Sequence, residues 1–413
     1  MAAADGKFQC PKKRFGRTEI QMPVLTCGGM RIQQSWNRGS MPQHEKILQE
    51  GQVDPACQAN LVATMRASLA HGINHIETAQ AYGCSEIQFG KALREVIASG
   101  EVKREDIILQ TKVSPKRTAA AFREALELSF ARLGVDEHLG GYVDLLAFHG
   151  INRDHQCDWV CGVDGSGSSA DCCMAVINEY RAAGKIRHVG FSTHAMTNVI
   201  TRAIKTNQFD YVNLHYHFVG SYTASGCGED TGGNLDAIAA AAAQDMGVFI
   251  ISGNDKGGKL YKPSAKIVKL CSPELDPIAF NFLWLCQQKD IHTMVIGAAR
   301  PTDFDAAMAA APMLGTEEGL AKVAAVEARL QAAVVEAHGE EWAANWFKGL
   351  PDCYENPHGT HICNIVWLHL VTKAWGLHEY SCDRYGSFDG NFARWEPGKT
   401  FEENTSDWGY STW

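Results

Sequence analysis

No stretch of this 413-residue chain is apolar for long enough to cross a bilayer as a helix. It has no run of basic residues, and its net charge is −9. That balance argues against nucleic acid or an anionic membrane as the main partner. The opening stretch, MAAADGKFQCPKKRFGR, lacks the apolar core of a secretory signal. A cytoplasmic location is therefore expected, with a short or trimmed organelle address left open. The chain also lacks a G-x-G-x-x-G turn after its first apolar strand, where TCGGM stands instead. This counts against a doubly wound dinucleotide fold. Cysteine, by contrast, is plentiful. Its 14 thiols are scattered through strands, helices and loops, and Cys172 and Cys173 are adjacent. Reduced thiols are the better reading. His155, Cys157, Cys161, Cys172 and Cys173 crowd one loop and leave a metal site there as a minor alternative.

What is present is a repeating pattern. Short, β-branched apolar runs recur as EIQMPVLTCGGM, GINHIETA, DIILQTKV, YVDLLAFHG, KIRHVGFST, YVNLHYHF, GVFIISG and HTMVIGAA. Runs of this kind suit parallel strands buried on both faces. Helical patterns separate them. Asp54 and Pro55 start the first, with Cys57, Leu61, Met65 and Leu69 as its apolar stripe and Gly72 as its stop. Another carries Phe122, Leu126, Phe130 and Leu133 and ends at Gly134. Others are expected at 172–184, 194–207, 233–245, 275–289 and 302–312. The fold class predicted is α/β, a (β/α)8 TIM barrel with an N-terminal hairpin in RFGRTEIQMPVL. The barrel should span residues 13–314 and a helical extension residues 315–413.

In such barrels chemistry sits where the strands end. Glu77, Lys112, His149 and His194 each place an ionisable group there. Four ionisable groups at one rim suggest a reaction rather than four separate structural roles. A tyrosine hydroxyl is a poor acid at neutral pH, and a neighbouring ammonium makes it a better one. Lys112 can supply that field to Tyr82, and Glu77 can hold Lys112 charged. His149 can hydrogen-bond a carbonyl oxygen while Tyr82 protonates it. No side chain donates hydride, so such a reduction requires a nicotinamide.

GINHIETAQAYGCSEIQFGKAL, ILQTKV, YVDLLAFHG and GKIRHVGFSTH together resemble the strand ends of the aldo-keto reductase superfamily, with the likeness running over roughly residues 13 to 312. The resemblance implies NAD(P)H-dependent reduction of a small carbonyl compound, with Tyr82 as acid, Lys112 and Glu77 as its tuning pair and His149 as orienting group. For the cofactor it implies Gly29 and Met30 after the first barrel strand, and Ser192, Thr193 and Asn213 around the carboxamide. Ser252, Asn254 and Lys256 would lie along the pyrophosphate, and Gly297, Arg300 and Asp303 at the adenosine end. Several positions depart from the family pattern. Glu77 stands where aspartate is usual, Thr193 and Asn213 replace asparagine and glutamine, and Ile251 replaces a stacking tyrosine. Asp303 would repel a 2′-phosphate and Arg300 would attract it. NADPH is the expected cofactor, with NADH as the alternative.

Two insertions, residues 32–54 and 151–170, should flank the mouth and carry Trp36 and Trp159 towards it. Beyond the barrel, residues 316–338 read as an amphipathic helix. The segment after it resembles a ferredoxin-like extension found in one subgroup of the superfamily. Aligning Asn356–Pro357 with that subgroup's Cys–Pro puts Phe347, Leu350, Cys353 and Asn356 at the ligand positions. With one thiol among four, no iron–sulfur cluster is expected. The extension reads as a degenerate domain kept for packing, as a cover over the barrel. A monomer is expected. The alternative function is a nucleotide-binding redox sensor or regulatory protein on the same barrel. A barrel hydrolase would want paired carboxylates, and Glu77 has no partner carboxylate at a strand end.

Overall fold

The computed structural model describes residues 8–33, 53–219, 234–350 and 362–392. Trp36, Cys353, Asn356 and the aromatic tail after 392 lie outside the described residues.

A short antiparallel hairpin, β1 (Lys12–Arg14) and β2 (Gln21–Pro23), precedes eight parallel strands. These are β3 (Leu25–Gly28), β4 (His75–Glu77), β5 (Ile108–Val113), β6 (Val143–His149), β7 (Ile186–Ser192), β8 (Tyr211–Leu214), β9 (Gly247–Ile250) and β10 (Thr293–Ile296). They pair in sequence order, and β10 closes the barrel on β3. The predicted TIM barrel is therefore the observed one. The hairpin closes its lower end: Phe15 is fully buried, with its ring centroid 5.6 Å from that of Tyr211. Gly247 makes room for it, because a β-carbon there would come within 2.5 Å of the Phe15 ring.

The helices start where their caps allow. Asp54 accepts hydrogen bonds from the backbone of Ala56 and Cys57 at 2.8 and 3.3 Å, opening the helix Pro55–Ala70. Gly134, at φ +69°, ends the helix Ala119–Leu133. The helices expected at 172–184, 194–207 and 233–245 are Cys173–Ala182, Thr197–Lys205 and Asn234–Ala243. That expected at 275–289 is Pro277–Cys286, and that at 302–312 is a 3-10 turn followed by Asp305–Ala310. The insertion after β6 is not all loop, because Asp154–Cys161 forms a helix. Trp159 on that helix packs 4.7 Å from His155 and beneath Arg117 in a surface depression. It pins the insertion rather than roofing the pocket. Among the described residues no group of three or more His, Cys, Asp or Glu is placed to hold a metal ion. Among the described residues eleven cysteines are free thiols. Cys363 departs from the reduced reading and is disulfide-bonded.

One buried acid ties the strands to the helices. Glu86, 1% exposed, lies on the helix Ser85–Ala98. Its Oε1 accepts from Thr111 on β5 at 2.6 Å and from Ser129, and its Oε2 has no partner. Burial pushes its pKa up from 4.5 to about 7. The native state therefore holds this proton where the unfolded chain releases it. The contribution is complete below about pH 4.5 and fades as pH rises through 7. Glu86→Gln should flatten that slope and stabilise the protein at pH 8 by roughly 2 kcal/mol. Urea midpoints at pH 5 and pH 8 check this, and an unchanged slope would remove Glu86 as its source.

The extension is helical. Thr316 caps the helix Glu317–His338, which packs against Ile362–Trp375. Trp375 Nε1 donates to the Leu330 carbonyl at 2.9 Å, and Trp367 Nε1 donates to that of Val219 at 3.1 Å. The last helix, His378–Phe392, reaches the loop after β9: Glu379 pairs with Lys262 at 2.6 Å, Asp383 with Lys259, and Tyr380 donates to the Lys256 carbonyl.

Candidate active site

Parallel pairing fixes which residues meet at the upper rim. Gly28 on β3 is opposite Glu77 on β4. On the other side His149, Ser192 and Asn213 stand in one row across β6, β7 and β8. Lys112, near the end of β5, points into the space between these sets.

Lys112 and Glu77 are 1% and 3% exposed at their side chains and in direct contact. The extra methylene of Glu77 therefore does not break the pair. Lys112 Nζ also donates to the Tyr82 hydroxyl at 3.0 Å and to the Thr78 carbonyl at 3.1 Å. Burial drives the lysine pKa well down, while the touching carboxylate favours the charged pair. Tyr82 sits in the turn after β4, and Gly83 at φ +58° lets the chain reverse there. Ser85 does not cap the next helix as its position suggests. Cys84 is the N-cap, and the Ser85 hydroxyl bonds that of Thr78 at 2.7 Å, bracing the turn. The His149 ring lies edge-on to that of Tyr82, with centroids 5.4 Å apart. Burial, then the nearby Lys112, hold the His149 pKa well below its ordinary value. The imidazole is thus neutral across ordinary pH.

These four side chains line one end of a cavity of about 610 Å3. Met30, Ser192, Ser252, Asn254, Gly297, Arg300 and Asp303 line it as well, and Ile251 gives it an apolar wall. Four of the expected residues are placed elsewhere. Gly29 packs under the turn, where a β-carbon would meet Ser85 Oγ at 2.5 Å. The Thr193 hydroxyl is taken up by the Ile151 carbonyl at 2.8 Å. Lys256 is buried behind the wall, 8% exposed. Asn213 is fully buried and does not line the cavity. Its Nδ2 and Oδ1 both lack a partner. An amide left with unmet donors and an unmet acceptor fits a ligand that itself carries an amide.

At the far end Asp303 accepts from the backbone of Ala299 and Arg300 at 2.7 and 3.1 Å, and from Arg300 Nε at 3.1 Å. Only Nε of Arg300 is used there, and its side chain is 67% exposed, so the two terminal nitrogens face outward. Sequence reasoning missed the ion pair of Arg31 with Asp255, which bridges the loops after β3 and β9 over the cavity. It also missed a group of buried histidines beyond β7 and β8. The alternation in NLHYHF was their visible sign.

The aldo/keto reductase family model matches residues 25–227. Human aldo-keto reductase family 1 member C2 is 31% identical over 146 residues, covering 35% of this chain and 36% of that protein. An uncharacterised oxidoreductase of Bacillus subtilis is 27% identical over 165 residues, covering 38% of this chain and 50% of its own length. The chain thus spans half or less of these curated relatives. The fold is like that of an aldo-keto reductase from Klebsiella pneumoniae solved in complex with NADPH, at a TM-score of 0.53 and 20% identity, over 76% of this chain and 93% of that one. Rim chemistry, barrel and likenesses agree, and the chain resembles the aldo/keto reductase family, whose model covers just under half of it.

Proposed function

We propose that this protein reduces aldehydes or ketones to alcohols with NADPH. The observation that carries the reading is the contact chain Glu77–Lys112–Tyr82 at the closed end of the cavity, with a neutral His149 beside it. A reduced nicotinamide, when bound, supplies hydride to the carbonyl carbon. Tyr82 gives its proton to the carbonyl oxygen, and Lys112 steadies the phenolate that remains. His149 donates an N–H to the same oxygen and orients it. Ser192 would hold the carboxamide, Ile251 the ring face, and Ser252 and Asn254 the pyrophosphate.

The reading has the protein acting as a monomer in the cytoplasm on a small carbonyl compound, without an iron–sulfur cluster, nucleic acid or membrane. Among the described residues no helix is long and apolar enough to cross a membrane. The extension, 315–413, is read as a separate packing unit on the barrel 13–314.

Titrating NADPH and NADH against tryptophan fluorescence, then following aldehyde-dependent NADPH oxidation, tests the proposal. Saturable binding with turnover supports it. Binding without turnover on a broad aldehyde panel supports the sensor alternative, and no binding at all ends both. Because Arg300 has two outward nitrogens, Arg300→Ala should weaken NADPH about tenfold and NADH far less. Equal losses would leave Asp303 in charge and favour NADH.

A further inference from the structure

The helix Pro277–Cys286 stands behind the loop after β9, and Asn281 is the one amide among its eight buried residues. Asn281 is 2% exposed. Its Nδ2 donates to Asn254 Oδ1 at 3.0 Å and lies 3.7 Å from Met294 Sδ on β10. Its Oδ1 has no partner. Sulfur is a weak acceptor, so the end that faces both it and Asn254 is the NH2 group. Turning this amide over would set oxygen against sulfur and leave two buried N–H donors unmet in place of one oxygen.

The backbone around Asn254 is pinned. Ser252, at φ +56°, turns the chain into the left-handed region. A β-carbon on Gly253 would come within 2.8 Å of Met294 Sδ and 3.3 Å of Asn281 Nδ2, so the chain lies directly on these two side chains. Leu260 N–H donates to the Asn254 carbonyl at 2.7 Å and closes the loop from the other side. What freedom remains to Asn254 is rotation of its amide, and Asn281 takes that up. Asn254 lines the cavity, whereas Asn281 does not. With Oδ1 of Asn254 held from behind, the end left for the cavity is Nδ2, a donor. A donor suits an anion there, and an acceptor would repel it.

The arrangement has a cost. A buried amide with an unmet oxygen is less favourable than an apolar side chain in the same place. Packing alone gives no reason for asparagine at 281, whereas a ligand on Asn254 does. We propose that Asn281 is a positioning residue for the cofactor, fixing the Asn254 amide so that its N–H meets the pyrophosphate. The identity of that ligand rests on the reductase reading. Pyrophosphate is common to NADPH and NADH, so Asn281 acts on both alike, unlike Arg300 at the adenosine end.

The test is a double-mutant cycle on the full-length protein, read as the dissociation constants of NADPH and NADH from tryptophan fluorescence. Asn281→Leu, Asn254→Ala and their combination are compared, each checked for folding by thermal melting. Asn281→Ala replaces the first should leucine crowd Gly253. Asn281→Leu should weaken both dinucleotides by about tenfold and to the same degree. In the Asn254→Ala background the same substitution should add less than about twofold. Additive losses overturn the proposal, because Asn281 would then act by some route other than the Asn254 amide. Unchanged affinity in a folded Asn281 variant overturns it too, as does a loss confined to NADPH. Asn254→Asp keeps the acceptor for Asn281 but puts an oxygen where the N–H stood. It should bind both dinucleotides more weakly than Asn254→Ala, and wild-type affinity there overturns the proposal even if no Asn281 variant folds. A wild type that binds neither dinucleotide ends the reductase reading and this inference with it. Coupling in the cycle without turnover of any aldehyde removes only the reductase reading and leaves the role of Asn281 standing.

Discussion

Tyr82→Phe should lower kcat for carbonyl reduction by about a thousandfold while leaving the NADPH dissociation constant within a few-fold. The ring stays, so its edge-on packing against His149 stays. Only the hydroxyl 3.0 Å from Lys112 Nζ is lost. A positioned general acid contributes about 10²–10⁴ in rate, and here no other acidic hydrogen stands at the same point. His149 is neutral and can donate a hydrogen bond, but giving up its proton would leave an imidazolate. Steady-state turnover with the best aldehyde found, alongside fluorescence titration of NADPH, reads both quantities. Retention of most of the activity would remove Tyr82 as the acid.

Lys112→Met should cost more than activity. It leaves Glu77 as a buried carboxylate that must either hold its charge unpaired or take up a proton. Removing one partner of a buried pair costs about 3–5 kcal/mol, and replacing both costs far less. The single variant should therefore unfold at a clearly lower urea concentration, and Glu77→Gln combined with Lys112→Met should recover most of that stability. Reduction should stay lost in both, because Tyr82 no longer has a cation beside its oxygen. A single variant as stable as the parent would mean that water or rearrangement reaches Glu77, and the pair would not be the anchor described here.

The barrel was legible because period and punctuation agree: buried β-branched runs, Asp54–Pro55 at a helix start and Gly134 at a stop all act locally. Glu77, Tyr82, Lys112 and His149 were legible because parallel register turns strand ends into neighbours. Other features depend on distance in space and left weaker marks. Thr193 was expected at the cofactor, but its hydroxyl is drawn to the Ile151 carbonyl of an adjacent loop. Lys256 was expected along the pyrophosphate, yet the loop fold and the C-terminal helix bury it. Arg31 and Asp255 are far apart in sequence, and nothing local to either announces the other. The helix at Asp154–Cys161 was hidden in a segment whose Gly and Ser residues read as loop.

The last helix is fastened to the loop after β9 through Glu379, Tyr380 and Asp383. That loop supplies Ser252, Asn254 and Asp255 to the cavity. Linkage makes the attachment reciprocal: a ligand that steadies the loop must steady the helix by the same free energy, and a helix that lets go must loosen the ligand to the same degree. Resistance of the chain's end to a protease is then a gauge of whether the barrel is occupied, readable without any chemistry taking place.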